Sequence, residues 1–519
     1  MANLRRVSQV VFVIAFFFLL TQTQYSGKDQ ISYPVKIFLD LDPLFAGLLL
    51  LSSFSIKPIL LLSLVTVGIS LLFGRFFCGW FCPFGTLHNA AGEVARRPRK
   101  IEHGLYTSRL RWKYVVLVAV VLSGLFSMSI LGVLDPLSLT VRSLAAGIGP
   151  AIEFLTRSVF DGIYARGPLW ISRFTETIYA FLRQHVLAFN QPRFLQGALL
   201  GTLFVGLLVL NLSRSRFWCR YVCPLGALLG VFSKASLVRL RVSNACDECG
   251  KCVRACPTGA SPAMGDGWRK AECIFCWNCV EACPKGAASF GIALPRREEG
   301  RIDLSRRAFL WSAGAGVLAI PLLRVSPSLV KPNPRLIRPP GALPEKAFLE
   351  RCVKCSECMK VCLTNGLQPT LLEAGLEGMW SPVLVPRIGY CEYSCTLCGQ
   401  ICPTGAIKKL PVEEKRRTII GLAFINKNRC LPHAFNVNCI VCEEHCPTPK
   451  KAIVFEEVNK VGPDGEEITL KLPVVVPGLC IGCGICEYKC PVSDEPAIYV
   501  TNINESRSPE RSLLLTTKT

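Results

Sequence analysis

The sequence predicts an α-helical membrane domain of four spans plus a fifth anchor, joined to two small α+β domains organised around cysteine-rich loops. Three observations lead there. The chain is 50% hydrophobic and only 18% charged, with a mean hydropathy of +0.38. Its apolar residues gather in a few long runs, and its 28 cysteines stand in tight groups. At 519 residues the chain exceeds what one core organises and calls for several units. This composition excludes a disordered chain and a wholly soluble one. A disulfide framework belongs to short secreted domains, whereas these cysteines recur at metal-ligand spacing.

The membrane domain is expected over residues 1–240. The runs Val7–Leu20, Pro58–Phe73, Tyr114–Leu134 and Leu195–Leu212 reach or approach the length that crosses about 30 Å of hydrocarbon as a helix. The shorter run Leu44–Phe54 suits a re-entrant or interfacial segment. Residues 1–325 hold 36 Lys and Arg against 17 Asp and Glu, and residues 326–519 hold 23 against 20, so the net +22 belongs to the apolar half. Basic residues beside apolar runs follow the positive-inside pattern and make the membrane lipid a partner, with no nucleic acid. Arg5 and Arg6, the cluster from Arg96 to Lys113, and Arg214, Arg216 and Arg220 mark the cytoplasmic side. Residues 135–194 are then outside, as short amphipathic helices near the surface.

This half repeats itself. Asp42-Pro43-Leu44 recurs as Asp135-Pro136-Leu137, and RFFCGWFCPFG at 75–85 recurs as RFWCRYVCPLG at 216–226. Each eleven-residue copy carries a CxxxCP motif after a span that returns to the basic side. Cys78, Cys82, Cys219 and Cys223 are therefore candidate redox residues. They would jointly ligate an additional metal centre, act as a dithiol relay, or shape a quinone pocket; the plain alternative is inert buried thiols beside a helix-terminating proline.

Residues 241–298 carry the first two cysteine quartets. Cys246, Cys249, Cys252 and Cys256 form CxxCxxCxxxCP, and Cys273, Cys276, Cys279 and Cys283 repeat it. This is the bacterial ferredoxin run: three thiolates wrap one cluster while the fourth ligates its neighbour. Hence Cys246, Cys249, Cys252 and Cys283 are expected on one [4Fe–4S] cluster, and Cys273, Cys276, Cys279 and Cys256 on the other. Zinc takes two CxxC pairs and has no use for the third cysteine or the proline. Both small domains thereby read as α+β, bacterial-ferredoxin-like.

Residues 299–325 hold Ser305-Arg306-Arg307-Ala308-Phe309-Leu310 ahead of a modestly apolar stretch, similar to a twin-arginine signal placed inside the chain or to an ordinary fifth anchor, the remaining reading being a buried helix with everything after it cytoplasmic. A Pro-rich linker follows at 326–346. Residues 347–519 then carry four more quartets: Cys352/Cys355/Cys358/Cys362, Cys391/Cys395/Cys398/Cys402, Cys430/Cys439/Cys442/Cys446 and Cys480/Cys483/Cys486/Cys490. The second has a leading gap of three residues and the third a gap of eight; Leu363 replaces the usual proline in the first. Which of the four exchange their last ligand is left open by spacing. Six quartets use every cysteine outside the CxxxCP motifs. The five histidines stand mostly outside the runs, against a membrane haem, and no dinucleotide loop, Walker motif or nucleophile motif occurs. No catalytic residue is assigned.

On these motifs residues 1–290 resemble the NapH/MauN membrane ferredoxins, and are similar to the C-terminal part of NosR-type proteins. Residues 300–500 resemble NapG/MauM exported ferredoxins, including the unusual spacings. The resemblance implies an electron-transfer protein of the inner membrane, with residues 241–298 cytoplasmic and 326–519 periplasmic. It further implies six [4Fe–4S] clusters, a quinone, membrane partner subunits and a periplasmic reductase or cytochrome, in systems such as nitrate respiration. The alternative it carries is a redox-sensing or maturation factor for a periplasmic metalloenzyme.

Overall fold

A computed structural model describes residues 1–31, 33–53, 59–94, 109–125, 131–260, 268–293, single positions between 310 and 317, 333–461 and 467–507. The twin-arginine stretch at 305–309, most of the expected anchor at 299–325 and the first part of the linker, 326–332, lie outside them. The chain divides into two compact units that interleave along the sequence: residues 1–22, 33–148 and 197–323 form one, and residues 23–32, 149–196 and 324–519 the other.

In the first unit the run Val7–Leu20 lies inside the 21-residue helix Ala2–Gln22. It buries Phe16 and Leu20 and exposes Val7, Val10, Val11, Ile14 and Phe18. Among the described residues this is the one helix long and apolar enough to cross a membrane by itself; Leu61–Phe73, Gly197–Leu212 and Pro224–Ser233 are apolar but shorter. The other runs form the helices Ile59–Phe73, Trp112–Leu125 and Gly197–Val209. The weak run at 44–54 forms the helix Pro43–Ser53, which packs on the first two of these.

The Asp-Pro-Leu repeat is a pair of helix starts. Asp42 Oδ1 accepts from the Leu44 and Phe45 amides at 2.8 and 3.3 Å, and Asp135 Oδ2 accepts from the Ser138 amide at 2.7 Å. The proline after each aspartate takes the first helical position, where no amide is missed. The two carboxyls are fully buried.

Each CxxxCP motif forms a short helix, a turn and a second helix: Phe76–Trp80 then Pro83–Val94, and Phe217–Tyr221 then Pro224–Ser233. The proline starts the second helix rather than ending the first. Beyond them β1 (Val238–Val242) and β2 (Ala288–Ile292) pair antiparallel, from Val238 opposite Ile292 to Val242 opposite Ala288, and so close the segment holding the first two quartets. That segment is seated on the helices. Trp80 Nε1 donates to the Phe275 carbonyl at 3.0 Å, and Gln9 Nε2 to the Gly79 carbonyl at 2.7 Å. A Cβ at Gly79 would stand 2.4 Å from the Ile274 carbonyl oxygen, so only glycine permits the approach.

Residues 135–194, expected as one external segment of short helices, are divided. Pro136–Ser143 and the π-turn Leu144–Ile148 belong to the first unit, whereas the longer helices Gly149–Arg166 and Leu169–His185 belong to the second. Both leave apolar side chains exposed, among them Ile152, Phe154, Leu155, Trp170, Phe174 and Phe181. Polar ties hold these segments within the second unit. Asn365 Nδ2 and Gln368 Nε2 donate to the Arg193 carbonyl at 2.6 and 3.0 Å, and the Thr396 hydroxyl donates to Asp29 at 2.7 Å.

The rest of the second unit is two-stranded. β3 (Leu367–Pro369) pairs with β4 (Pro382–Leu384), β5 (Leu422–Ile425) with β8 (Ile498–Thr501), and β6 (Ile453–Val461) with β7 (Glu467–Val475), all antiparallel. The last two quartets lie between β5 and β8 as the first two of the chain lie between β1 and β2. Around the remaining pair of quartets the closing strands shrink to one bridge, Ala342 opposite Ile407. Phe348, Met359, Leu397, Ile401, Leu422 and Ile498 form the core between the loops.

Candidate metal centres

None of the 28 cysteines forms a disulfide. In the second unit they line four cavities of similar size. Cys352, Cys355 and Cys358 share a cavity of about 360 Å³, mouth included, with Cys402. Cys391, Cys395 and Cys398 share one of about 440 Å³ with Cys362. Cys430, Cys439 and Cys442 meet Cys490 at about 380 Å³, and Cys480, Cys483 and Cys486 meet Cys446 at about 350 Å³. The exchange that spacing left open is therefore between sequence neighbours. The short helices carrying each third cysteine explain it: Glu357–Lys360 packs on Leu397–Ile401, and Val441–Glu444 on Ile485–Lys489, so each helix end presents its last cysteine to the neighbour's loop.

In the first unit the short helices of the two quartets pack in the same way. Lys251–Ala255 packs on Asn278–Glu281. Cys256 is an electrostatic neighbour of Cys273, Cys276 and Cys279, and Cys246 and Cys249 are neighbours of Cys252. Cys283 accepts from the Ala287 amide at 3.3 Å.

The loops have a common local cause. In four quartets the middle cysteine is flanked on both sides by left-handed residues: Glu248 and Gly250, Phe275 and Trp277, Lys354 and Ser356, Gly482 and Gly484. These two reversals curl the loop so that three thiols face one point. The quartets beginning at Cys391 and Cys430, with their longer leading gaps, reach the same convergence without that pattern.

Burial pushes the Cys352 thiol up to about 11 and those of Cys395, Cys442 and Cys483 up to about 12. Crowded thiols of this kind ionise against a bound cationic core. Among the described residues no three His, Cys, Asp or Glu converge at the spacing of a single ion. The four-thiol sets enclose volumes instead, and an iron–sulfur cluster fits that donor set.

Two groups of residues went unnoticed in the sequence. Thr258, Thr364, Thr404 and Thr448 each follow a fourth cysteine by two positions and place Oγ1 at 3.8, 3.8, 3.7 and 3.2 Å from its sulfur. Lys285 and Val492 stand at that place after Cys283 and Cys490. The recurrence was visible in the letters. The second group, Arg75, Lys113, Tyr114 and Glu272, is a buried cluster: Glu272 accepts from Arg75 Nη1 at 3.1 Å, from the Tyr114 hydroxyl at 3.1 Å and from the Lys113 ammonium. Only Arg75, copied as Arg216 in the repeat, carried a signal.

The structure also brings together the four CxxxCP thiols. Cys82 has Cys78 and Cys219 as electrostatic neighbours, and Cys223 has Cys219, Cys78 and Cys82. Cys82 Sγ accepts from the Gly85 amide at 3.4 Å and Cys223 Sγ from the Gly226 amide at 3.2 Å, the same contact in both copies.

Comparison with known proteins agrees with this chemistry. A 4Fe-4S binding domain profile matches residues 57–102 and again 196–243, and a 4Fe-4S dicluster domain profile matches residues 239–284. Ferredoxin-type protein NapG of Escherichia coli (strain K12) is 34% identical over 166 residues, 32% of this chain and 69% of that protein. The methylamine utilization ferredoxin-type proteins MauM of Methylorubrum extorquens and Paracoccus denitrificans are each 33% identical, over 36% and 37% of this chain and 84% and 82% of their own lengths. No solved structure matches. With that identity spread over two thirds or more of each relative, the chain belongs to the NapG/MauM family of ferredoxin-type iron–sulfur electron-transfer proteins.

Proposed function

We propose that this chain is a membrane-embedded electron conduit that holds six [4Fe–4S] clusters and carries electrons between the quinol pool, or a cytoplasmic donor, and a periplasmic reductase or cytochrome. The observation that carries the reading is the set of paired cysteine sites: four cavities in the second unit are each lined by three cysteines of one quartet and the last of its neighbour, and in the first unit the two quartets stand on packed short helices. Such clusters supply one-electron chemistry, and a series of them suits conduction, where a sensor needs one.

The membrane placement rests on two further features. Leu61, Leu64, Val65, Leu72, Leu203 and Val205 on the shorter apolar helices are exposed, as is one face of Ala2–Gln22. Apolar surface of that extent on helices suits lipid. In sequence, residues 23–32 and 149–196 follow the first and third apolar runs, while the CxxxCP motifs follow the second and fourth. Segments alternating in this way emerge on opposite faces of a bilayer. The unit that collects 23–32 and 149–196 is then periplasmic, and residues 241–298, after the fourth run, cytoplasmic. On this reading the chain joins a NapH/MauN-type part to a NapG/MauM-type part, with residues 299–325 as the fifth anchor.

Iron and acid-labile sulfide on anaerobically purified full chain, followed by a reduced menaquinol analogue, test it. The expected result is about 24 irons per chain in the quartets, bleached by quinol and reoxidised over many turnovers by the acceptor. Full iron with no response to quinol moves the donor to a soluble protein. A single turnover per target favours a NosR-like maturation role, and stoichiometric zinc with negligible iron overturns the reading.

A further inference from the structure

The 4Fe-4S profile that matches each CxxxCP copy covers only two cysteines per match, Cys78 and Cys82 in one and Cys219 and Cys223 in the other. Neither copy alone can ligate a cluster of four irons. The fold removes the difficulty by folding the copies onto each other through exchanged arginines. Arg216, from the second copy, donates Nη1 to the Cys78 carbonyl at 3.0 Å and Nε to Asn89 at 2.8 Å. Arg75, from the first, lies against the second: a Cβ at Gly226 would meet Arg75 Nη2 at 2.7 Å and Cys223 Sγ at 3.3 Å. Guanidinium and sulfur thus flank one glycine.

Charge points the same way. Arg75 and Arg216 are 1% and 0% exposed, and Lys113 is 0% exposed. Glu272 answers Arg75 and Lys113, but Arg216 bonds only neutral oxygens, and its Nη2 has no partner among the described residues. Among the described residues, three buried cations against one carboxylate leave two positive charges uncompensated, a costly arrangement without a buried anion. An oxidised iron–sulfur cluster on four thiolates carries about −2. Arg216 is also an electrostatic neighbour of Cys276, a ligand of the adjoining quartet, so the site abuts the ferredoxin loops.

We propose that Cys78, Cys82, Cys219 and Cys223 jointly hold a further iron–sulfur cluster, two thiolates from each copy of the repeat, with Arg75 and Arg216 as its buried counter-charges. The proposal rests on the conduit reading for its use, but its test is separate.

The test compares the wild-type full chain with Cys78→Ser/Cys219→Ser, both purified anaerobically in detergent, for iron, sulfide, zinc and EPR. The wild type is expected to exceed about 24 irons, and the variant to lose two or four irons with equal sulfide while the remaining signals persist. A loss of two assigns a binuclear cluster and of four a cubane. Should the variant fold poorly, Arg216→Lys and Arg216→Gln serve instead: all irons stay, and the potential of one centre falls further in the Gln variant than in the Lys variant. Wild-type iron at about 24, with the four thiols alkylated as free cysteines, overturns the shared cluster and leaves the conduit standing. Loss of one zinc overturns it equally, and absence of iron throughout overturns both.

Discussion

The ferredoxin quartets and the CxxxCP repeat assemble four thiols by different routes. A quartet brings three ligands on one curled loop and borrows the fourth from its neighbour, so the site is three-quarters local. The CxxxCP site takes two from each of two segments about 140 residues apart in sequence. The first kind needs a loop conformation and one helix pair; the second needs a whole helical unit to be folded. A mutation should therefore damage one quartet at a time in the second unit, but the whole site at once in the first.

The largest effect tests the borrowed ligand. Cys402→Ser should remove about four irons from the cavity of Cys352, Cys355 and Cys358, leaving the loop of its own motif occupied. Mössbauer or EPR difference spectra against Cys362→Ser, which should affect the other cavity, decide whether the exchange is as described. If both variants lose the same signal, the local character of the quartets is lost.

Next come the backbones. Gly482, at φ 73°, would place a Cβ within 2.6 Å of three Gly421 backbone atoms, whereas at Gly79 the one contact under 3 Å is the Ile274 carbonyl oxygen. Gly482→Ala should cost about 3 kcal/mol or more and empty the Cys480 site. Gly79→Ala should instead loosen the ferredoxin segment from its helices, read as faster hydrogen exchange at 272–280 with the quartets still filled.

A smaller effect concerns the lead-in to Cys352. Glu345 bonds Arg338 at 2.6 Å and Arg507 at 2.9 Å. Although burial alone would raise it, the two guanidinium groups hold its carboxyl down at about 2. A folded value below the ordinary carboxylate value means that the stabilisation is full above about pH 4.5 and drains away as pH falls towards 2. Glu345→Gln should lower stability at pH 7 by about 2 kcal/mol and flatten that acid limb in thermal melts.

The smallest effect separates clusters within a pair. The Thr448 hydroxyl reaches the sulfur of Cys446, whereas Val492 stands at that place after Cys490. Thr448→Val should lower the potential of its centre by a few tens of millivolts and narrow the gap to its neighbour, measured by EPR-monitored titration.

Legibility varied with the range of the interaction. The quartets were readable as motifs because a ferredoxin loop is a local object, and Cys256 lies near Cys273 as the spacing predicts. The repeat was readable as letters, and its meaning was not. Its prolines looked like helix ends and prove to be helix starts, where the sulfur of the preceding cysteine accepts the Gly85 or Gly226 amide. The loop 135–194 looked like one surface segment, because nothing in its composition marks Ile148 as the boundary between two units.

By itself the sequence determined that the chain is built from apolar helices and cysteine quartets, because hydrophobic runs and CxxC spacings act within a few turns of chain. Only the tertiary structure decided which quartets exchange ligands, that residues 23–32 and 149–196 join the second unit, and that Cys78, Cys82, Cys219 and Cys223 meet beside two buried arginines. Those outcomes depend on contacts between segments far apart in sequence. Spacing along the chain carries no record of such contacts, and close packing of the folded chain selects one arrangement among them.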